Sequence, residues 1–129
     1  MRYRPWTGIT IAAPWLCAAF ASAGEPAKLV PADGAAFDSF GHAVSMSGDF
    51  AIIGAPFDKD RGTNSGSAYT FRFDGVHWVQ DRKLLPSDGA RDFYFGQSVS
   101  IYGDFAVVGA PQPFTQAGAA YVFRRSGAS

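Results

Sequence analysis

Cysteine is nearly missing from this chain: one residue, Cys17, stands among 129. It lies inside an apolar leader, so a chain processed after Ala23 carries no thiol. That excludes disulfides, thiolate nucleophiles and thiolate metal sites from the processed chain. An exported protein without disulfides fits a bacterial envelope or secreted protein better than a small disulfide-held domain. Histidine is almost as scarce. His42 and His77 have no acidic cluster at ligand spacing, so a metal centre built on them is not expected. Charge of one sign is lacking too: eleven Lys and Arg balance eleven Asp and Glu, with no basic patch. Nucleic acid is therefore not implied as a partner. Helical periodicity, a G-x-S-x-G nucleophile elbow and carboxylates paired in a cleft are also missing. No catalytic constellation is left, and the chain reads as a non-enzyme.

The leader has a recognisable grammar. Arg2 and Arg4 give a basic start, Ile9 to Phe20 is apolar, and Ala21-Ser22-Ala23 ends the stretch with small residues. This reads as a signal peptide over residues 1–23, leaving 24–129 as the exported repeat region. The competing reading, a membrane anchor, needs about 20 apolar residues, and Pro14 interrupts a shorter run. No membrane span is expected after cleavage. The expected location is secreted, periplasmic or cell envelope. Cys17 follows Leu16 and has Pro14 three positions before it, which is the wrong order for a lipoprotein signal.

What the chain does have is aromatic residues, glycine and a repeat. Shifted by 55 positions, Lys28 to Pro56 lies over Lys83 to Pro111 with 17 identities in 29. Further on, Gly66 to Arg72 matches Gly118 to Arg124 after a loss of three residues. A period of this size marks a solenoid, propeller or array. One period holds four expected strands: about His42 to Ser47, Phe50 to Ala55, Ser67 to Phe73 and His77 to Leu85. Gly48-Asp49 and Asp74-Gly75 supply hairpin turns. Phe50 to Ala55 is apolar almost throughout, as a strand buried on both faces would be. Pro56 ends it, because proline has no N–H for the ladder. Asp49 and Asp104 read as turn residues rather than catalytic acids. The expected fold is all-β. Antiparallel four-stranded blades form a partial β-propeller, with blade one at about 40–85 and blade two at about 95–125. The second blade lacks its outer strand, and Lys28-Leu29-Val30 reads as a lone fourth-strand segment.

Phe40-Gly41 followed by Gly54-Ala55-Pro56, and Phe95-Gly96 followed by Gly109-Ala110-Pro111, resemble the FG-GAP repeat. That family builds the propeller of integrin α subunits and occurs in many bacterial extracellular proteins. The resemblance implies a binding or adhesion module. Its calcium loop between FG and GAP is not carried over: Val44 to Phe50 holds one carboxylate, Asp49, and the second copy holds Asp104. Calcium takes six to eight oxygens, so no cofactor is expected. A weaker calcium candidate is the acidic loop with Asp58, Asp60 and Asn64, whose charges alternatively pair with Lys59 and Arg61.

Aromatic residues before the first strand of each repeat could stack on a sugar or a partner. Phe40 and Phe95 are expected to pack between blades. Phe93 and Tyr94 are the candidates for exposure, because Asp38 and Ser39 stand at the matching positions. The expected partner is an extracellular protein or glycan. Two blades cannot close a ring, so further blades are expected, from a longer protein or from a homo-oligomer. In the homo-oligomer reading the chain is a propeller lectin binding carbohydrate between blades.

Overall fold

The computed structural model describes residues 26–114 and 116–126. The expected signal peptide lies outside the described residues. Seven strands follow in order: β1 (Ala43–Ser47), β2 (Phe50–Ala55), β3 (Ser67–Phe73), β4 (Trp78–Leu84), β5 (Ser98–Tyr102), β6 (Phe105–Ala110) and β7 (Ala119–Arg124). They form two open antiparallel sheets, ordered β1-β2-β3-β4 and β5-β6-β7. The fold is all-β, built of one four-stranded and one three-stranded propeller-type blade, as the repeat implied. His42 and His77 sit just ahead of their strands rather than inside them. Among the described residues no helix is long and apolar enough to cross a membrane.

Local chemistry sets the hairpins. Ser47 pairs directly with Phe50, leaving Gly48-Asp49 as a two-residue turn. Gly48 takes φ 57° and its repeat partner Gly103 the same value, a conformation glycine adopts without steric cost. In the second hairpin, the Asp74 carboxylate accepts N–H bonds from Val76 and His77 at 2.8 and 2.7 Å. This is the Asp-Gly turn chemistry that the sequence announced.

Each blade has a front and a back. On the front of blade 1, Ala51, Ile53 and Ala55 of β2 and Tyr69 and Phe71 of β3 form one cluster, covered by Leu29, Phe40 and Trp78. The front of blade 2 repeats it with Ala106, Val108, Ala110, Tyr121 and Phe123, joined by Leu84 and Phe95. The motif phenylalanines match closely. Phe40 meets Tyr69 and Phe71 edge-on at 5.4 and 6.0 Å, and Phe95 meets Tyr121 and Phe123 at 5.3 and 6.0 Å. The front of blade 2 packs on the back of blade 1, where Ile52 and Ala68 are fully buried. Truncating Ile52 to alanine would cost about 2–5 kcal/mol by cavity formation.

The motif glycines explain how close the blades come. A Cβ on Gly54 would lie 1.9 Å from the carbonyl oxygen of Gly96, and one on Gly66 would lie 2.4 Å from the Phe95 nitrogen. The GAP glycine of one blade thus receives the FG glycine of the next, backbone against backbone. The stretch Gly48 to Pro56, repeated as Gly103 to Pro111, is a packing unit.

The ladder between β3 and β4 contains one irregularity. Thr70 pairs with Arg82 but Phe71 pairs with Gln80, so Asp81 is an extra residue in β4. Side chains alternate along a strand, and one extra residue switches the faces beyond it. Trp78 therefore lies on the front with Phe71, and past the bulge Lys83 is carried to the same face, opposite Tyr69. Leu84 turns the other way, into the cluster between the blades.

Candidate functional site

The bulge delivers Lys83 into a ring of carboxylates. Its Nζ lies 2.6 Å from Asp33, 2.9 Å from Asp58 and 2.6 Å from Asp60, so three ammonium protons meet three acceptors. Asp58 is the buried member, with its side chain 3% exposed, while Asp33 and Asp60 are half open to solvent. Every Asp58 oxygen is engaged. Oδ1 accepts the Asp60 N–H at 2.8 Å, and Oδ2 accepts the Ser67 hydroxyl at 2.9 Å. The Tyr69 hydroxyl sits 3.0 Å from Asp33 and 3.1 Å from Asp58, sharing its one proton between them.

The electrostatics follow from this geometry. Burial alone would raise the Asp58 carboxyl, but Lys83, the Asp60 N–H and the Ser67 hydroxyl outweigh it and hold it below 3.8. Lys83 likewise holds Asp33 below that value. Burial opposes the charge on Lys83, yet the three carboxylates around it win and push it well above its ordinary range. Tyr69 is pushed up to about 12, chiefly by burial. None of these groups is poised for proton transfer near neutral pH. The cluster is a lock.

The lock changes two expectations. Asp58 and Asp60 do come together, but around an ammonium, and their partner is Lys83 on β4 rather than Lys59 or Arg61 beside them. Asn64 goes elsewhere: its amide donates to Asp92 at 3.0 Å. Lys83 was not singled out from the sequence. Its facing residues depend on the bulge at Asp81, which leaves no signal in a strand of alternating residues.

What the lock holds is the loop from β2 to β3. Farther along that loop, the carbonyls of Thr63, Asn64 and Ser65 accept N–H bonds from Asp92, Tyr94 and Phe95 at 2.8, 2.9 and 3.0 Å. The loop of blade 1 thereby fixes the segment that enters blade 2. That segment has an alternating backbone. Asp92, Tyr94 and Gly96 have φ 61°, 56° and 96°, matching Phe37, Ser39 and Gly41 at 73°, 59° and 97°. The residue between the first two turns inward in both copies. Asp38 and Phe93 are both buried, Phe93 at 4% exposure. The expected exposure of Phe93 is thus corrected: its position is interior in each repeat, and an aromatic there is core. Tyr94 is half-buried and sits in a left-handed conformation unfavourable for a bulky side chain.

Tyr94 is the centre of a row of rings. His42 meets Phe57 at 6.5 Å, Phe57 meets Tyr94 at 5.7 Å, and Tyr94 meets Phe114 at 6.5 Å, all steeply tilted. His42 and Phe57 belong to blade 1, Tyr94 and Phe114 to blade 2, so the row crosses the seam between them. His42 and Phe114 are exposed, Phe114 at 76%. Sequence reasoning found Tyr94. It missed Phe57 and Phe114, which follow the GAP prolines in loops of unequal length. Asp49 and Asp104 act as the turn residues expected, their carbonyls accepting the N–H of Phe73 and Arg125 at 2.8 and 2.7 Å.

Among the described residues, no group of three His, Cys, Asp or Glu side chains is arranged to hold a metal ion. No curated protein matches this chain. A family model described as FG-GAP repeat matches residues 24–71 and 78–123. With two copies in register, and with the GAP glycine Gly54 and the FG glycine Gly96 meeting at the contact between blades, the chain belongs to the FG-GAP repeat family.

Proposed function

We propose that this chain is an exported, non-catalytic binding module whose contact surface is the row His42, Phe57, Tyr94 and Phe114. The observation that carries the reading is the row itself. Aromatic rings set in a row across a rigid seam, exposed at His42 and Phe114 and half-buried at Phe57 and Tyr94, offer contact area at little entropic cost. The Lys83 lock supports the reading from beneath. It spends both carboxylates of the loop, Asp58 and Asp60, on holding the loop still, which is preorganisation for binding rather than chemistry. Export rests on the basic, apolar and small-residue order of residues 1–23.

Among ligands, a glycan is favoured over a protein by the location of the row between blades. Sugar rings stack on aromatic side chains along a narrow track, whereas a protein interface needs about 800 Å² from each side. The test is an array of immobilised oligosaccharides probed with the purified chain and with Tyr94→Ser. Ser39 holds the same left-handed backbone in the first repeat, so the serine fits without distortion. Binding of a defined oligosaccharide by the native chain, reduced about tenfold or about 1.4 kcal/mol in the variant, is expected. Equal binding by the two chains would remove the row from the site.

A further inference from the structure

The contact between the two blades uses a back face and a front face, and each has an uncovered twin. Blade 2 leaves its own back open: Phe105, Val107 and Val122 are 52%, 40% and 66% exposed, although Ile52, the counterpart of Val107, is 0% exposed. Blade 1 leaves the β1 part of its front open, with Val44 and Met46 at 66% and 63%. Their counterparts Val99 and Ile101 are packed against blade 1. Because the open faces are repeats of the two faces that meet inside the molecule, they are complementary to each other. We propose that a second copy of this chain docks head to tail, the back of blade 2 in one copy on the front of blade 1 in the next.

Three further details fit this occupant. Gly41 has φ 97° against 96° for Gly96. A Cβ on Gly96 would be 2.2 Å from the Ser67 carbonyl, while around Gly41 nothing lies within 4 Å. Gly109, the counterpart of Gly54, would face Gly41 of the second copy as Gly54 faces Gly96. The second detail is polar. Ser45 accepts the Ile101 N–H at 3.1 Å across the internal contact; Ser100 and Met46 stand at the matching positions of the open faces. Tyr102 replaces Ser47, so the neighbouring bond to Gly103 has no twin.

The third detail is an incomplete lock. Tyr121 donates to Asp88 at 2.7 Å, repeating Tyr69 and Asp33, but among the described residues no lysine stands with them. Lys28 is the counterpart of Lys83 by the repeat shift and is exposed. Leu29 beside it packs on the front of blade 1 as Leu84 does on the front of blade 2. Docking head to tail brings Lys28 of the second copy to Asp88. The contact is heterologous, so it grows until rotation closes a ring. Closed propellers have about four to eight blades, which two to four chains supply.

Sedimentation velocity of the full chain over a wide concentration range tests this. Concentration-dependent association is expected for the native chain. Gly109→Ala should abolish it while leaving the fold intact, because inside one chain the added Cβ meets the movable Ser98 hydroxyl. Lys28→Glu and Asp88→Lys should each weaken association at least tenfold, and an equimolar mixture of the two variants should restore it. A native chain that stays monomeric throughout overturns the proposal. So does association that persists in Gly109→Ala, which would trace to some other surface. The oligosaccharide test with Tyr94→Ser is independent of this one, so either can fail alone.

Discussion

Lys83 shows how much one residue can organise. It binds three carboxylates, and one of them, Asp58, is buried. Replacing Lys83 with methionine keeps the stem and removes the charge. Asp58 then has no cation and two like-charged neighbours, and loss of a partner from a buried pair costs about 3 kcal/mol or more. Chemical denaturation would measure it; a cost below 1 kcal/mol would mean that the lock is ornamental. The pH dependence has a definite sign. Asp33 and Asp58 are held below 3.8 in the folded protein. Their contribution is therefore full above pH 4 and is lost as pH falls through the depressed values. In Lys83→Met the same carboxylates repel, their pKa values rise, and acid relieves the repulsion. The gap in stability between the two proteins should narrow as pH falls below 5. A gap that stays constant from pH 7 to pH 3 would contradict this.

At the scale of elements, the strands and hairpins were legible in the sequence. Alternation, Gly-Asp and Asp-Gly turns and the proline stops point to the observed pairing, within a residue at each end. The candidate site was legible only in part. Tyr94 stood out because its repeat partner is Ser39. Phe93 stood out for the same reason and is buried, since the pattern of exposure there comes from a left-handed backbone at 92, 94 and 96. Lys83 was hidden because β4 contains a bulge, and the face of every residue after Asp81 depends on it. Deleting Asp81 would leave Arg82 opposite Thr70 and Lys83 opposite Tyr69 in a regular ladder, so the lock should survive and chemical denaturation should show a smaller loss than for Lys83→Met. A loss as large as that of Lys83→Met would show that the bulge itself is needed to hold the lysine in place. The loop from β2 to β3 carries a further prediction. Its acids already hold an ammonium, so millimolar calcium should leave the melting temperature unchanged. A ligand at 100 times its Kd adds about 2.7 kcal/mol, and a rise of several degrees reversed by a chelator would reveal a calcium site.

For the whole molecule, the central claim is that the repeated FG and GAP segments weld two blades into one folding unit through glycine contacts, and that the binding row spans the weld. Glycine inside a strand normally costs about 0.5–1 kcal/mol relative to alanine, so Gly54→Ala on propensity alone would stabilise. Here the added Cβ would sit 1.9 Å from the Gly96 carbonyl. Backbone cannot step aside as a side chain can, and overpacking of this kind costs about 1–3 kcal/mol. Differential scanning calorimetry of the native chain and Gly54→Ala is the most direct measurement. A single transition is predicted for the native chain, with calorimetric and van't Hoff enthalpies equal. In Gly54→Ala the transition should fall by at least about 4 °C and broaden as the blades uncouple. Two separate transitions in the native chain, or an unchanged or higher melting temperature in Gly54→Ala, would contradict the account.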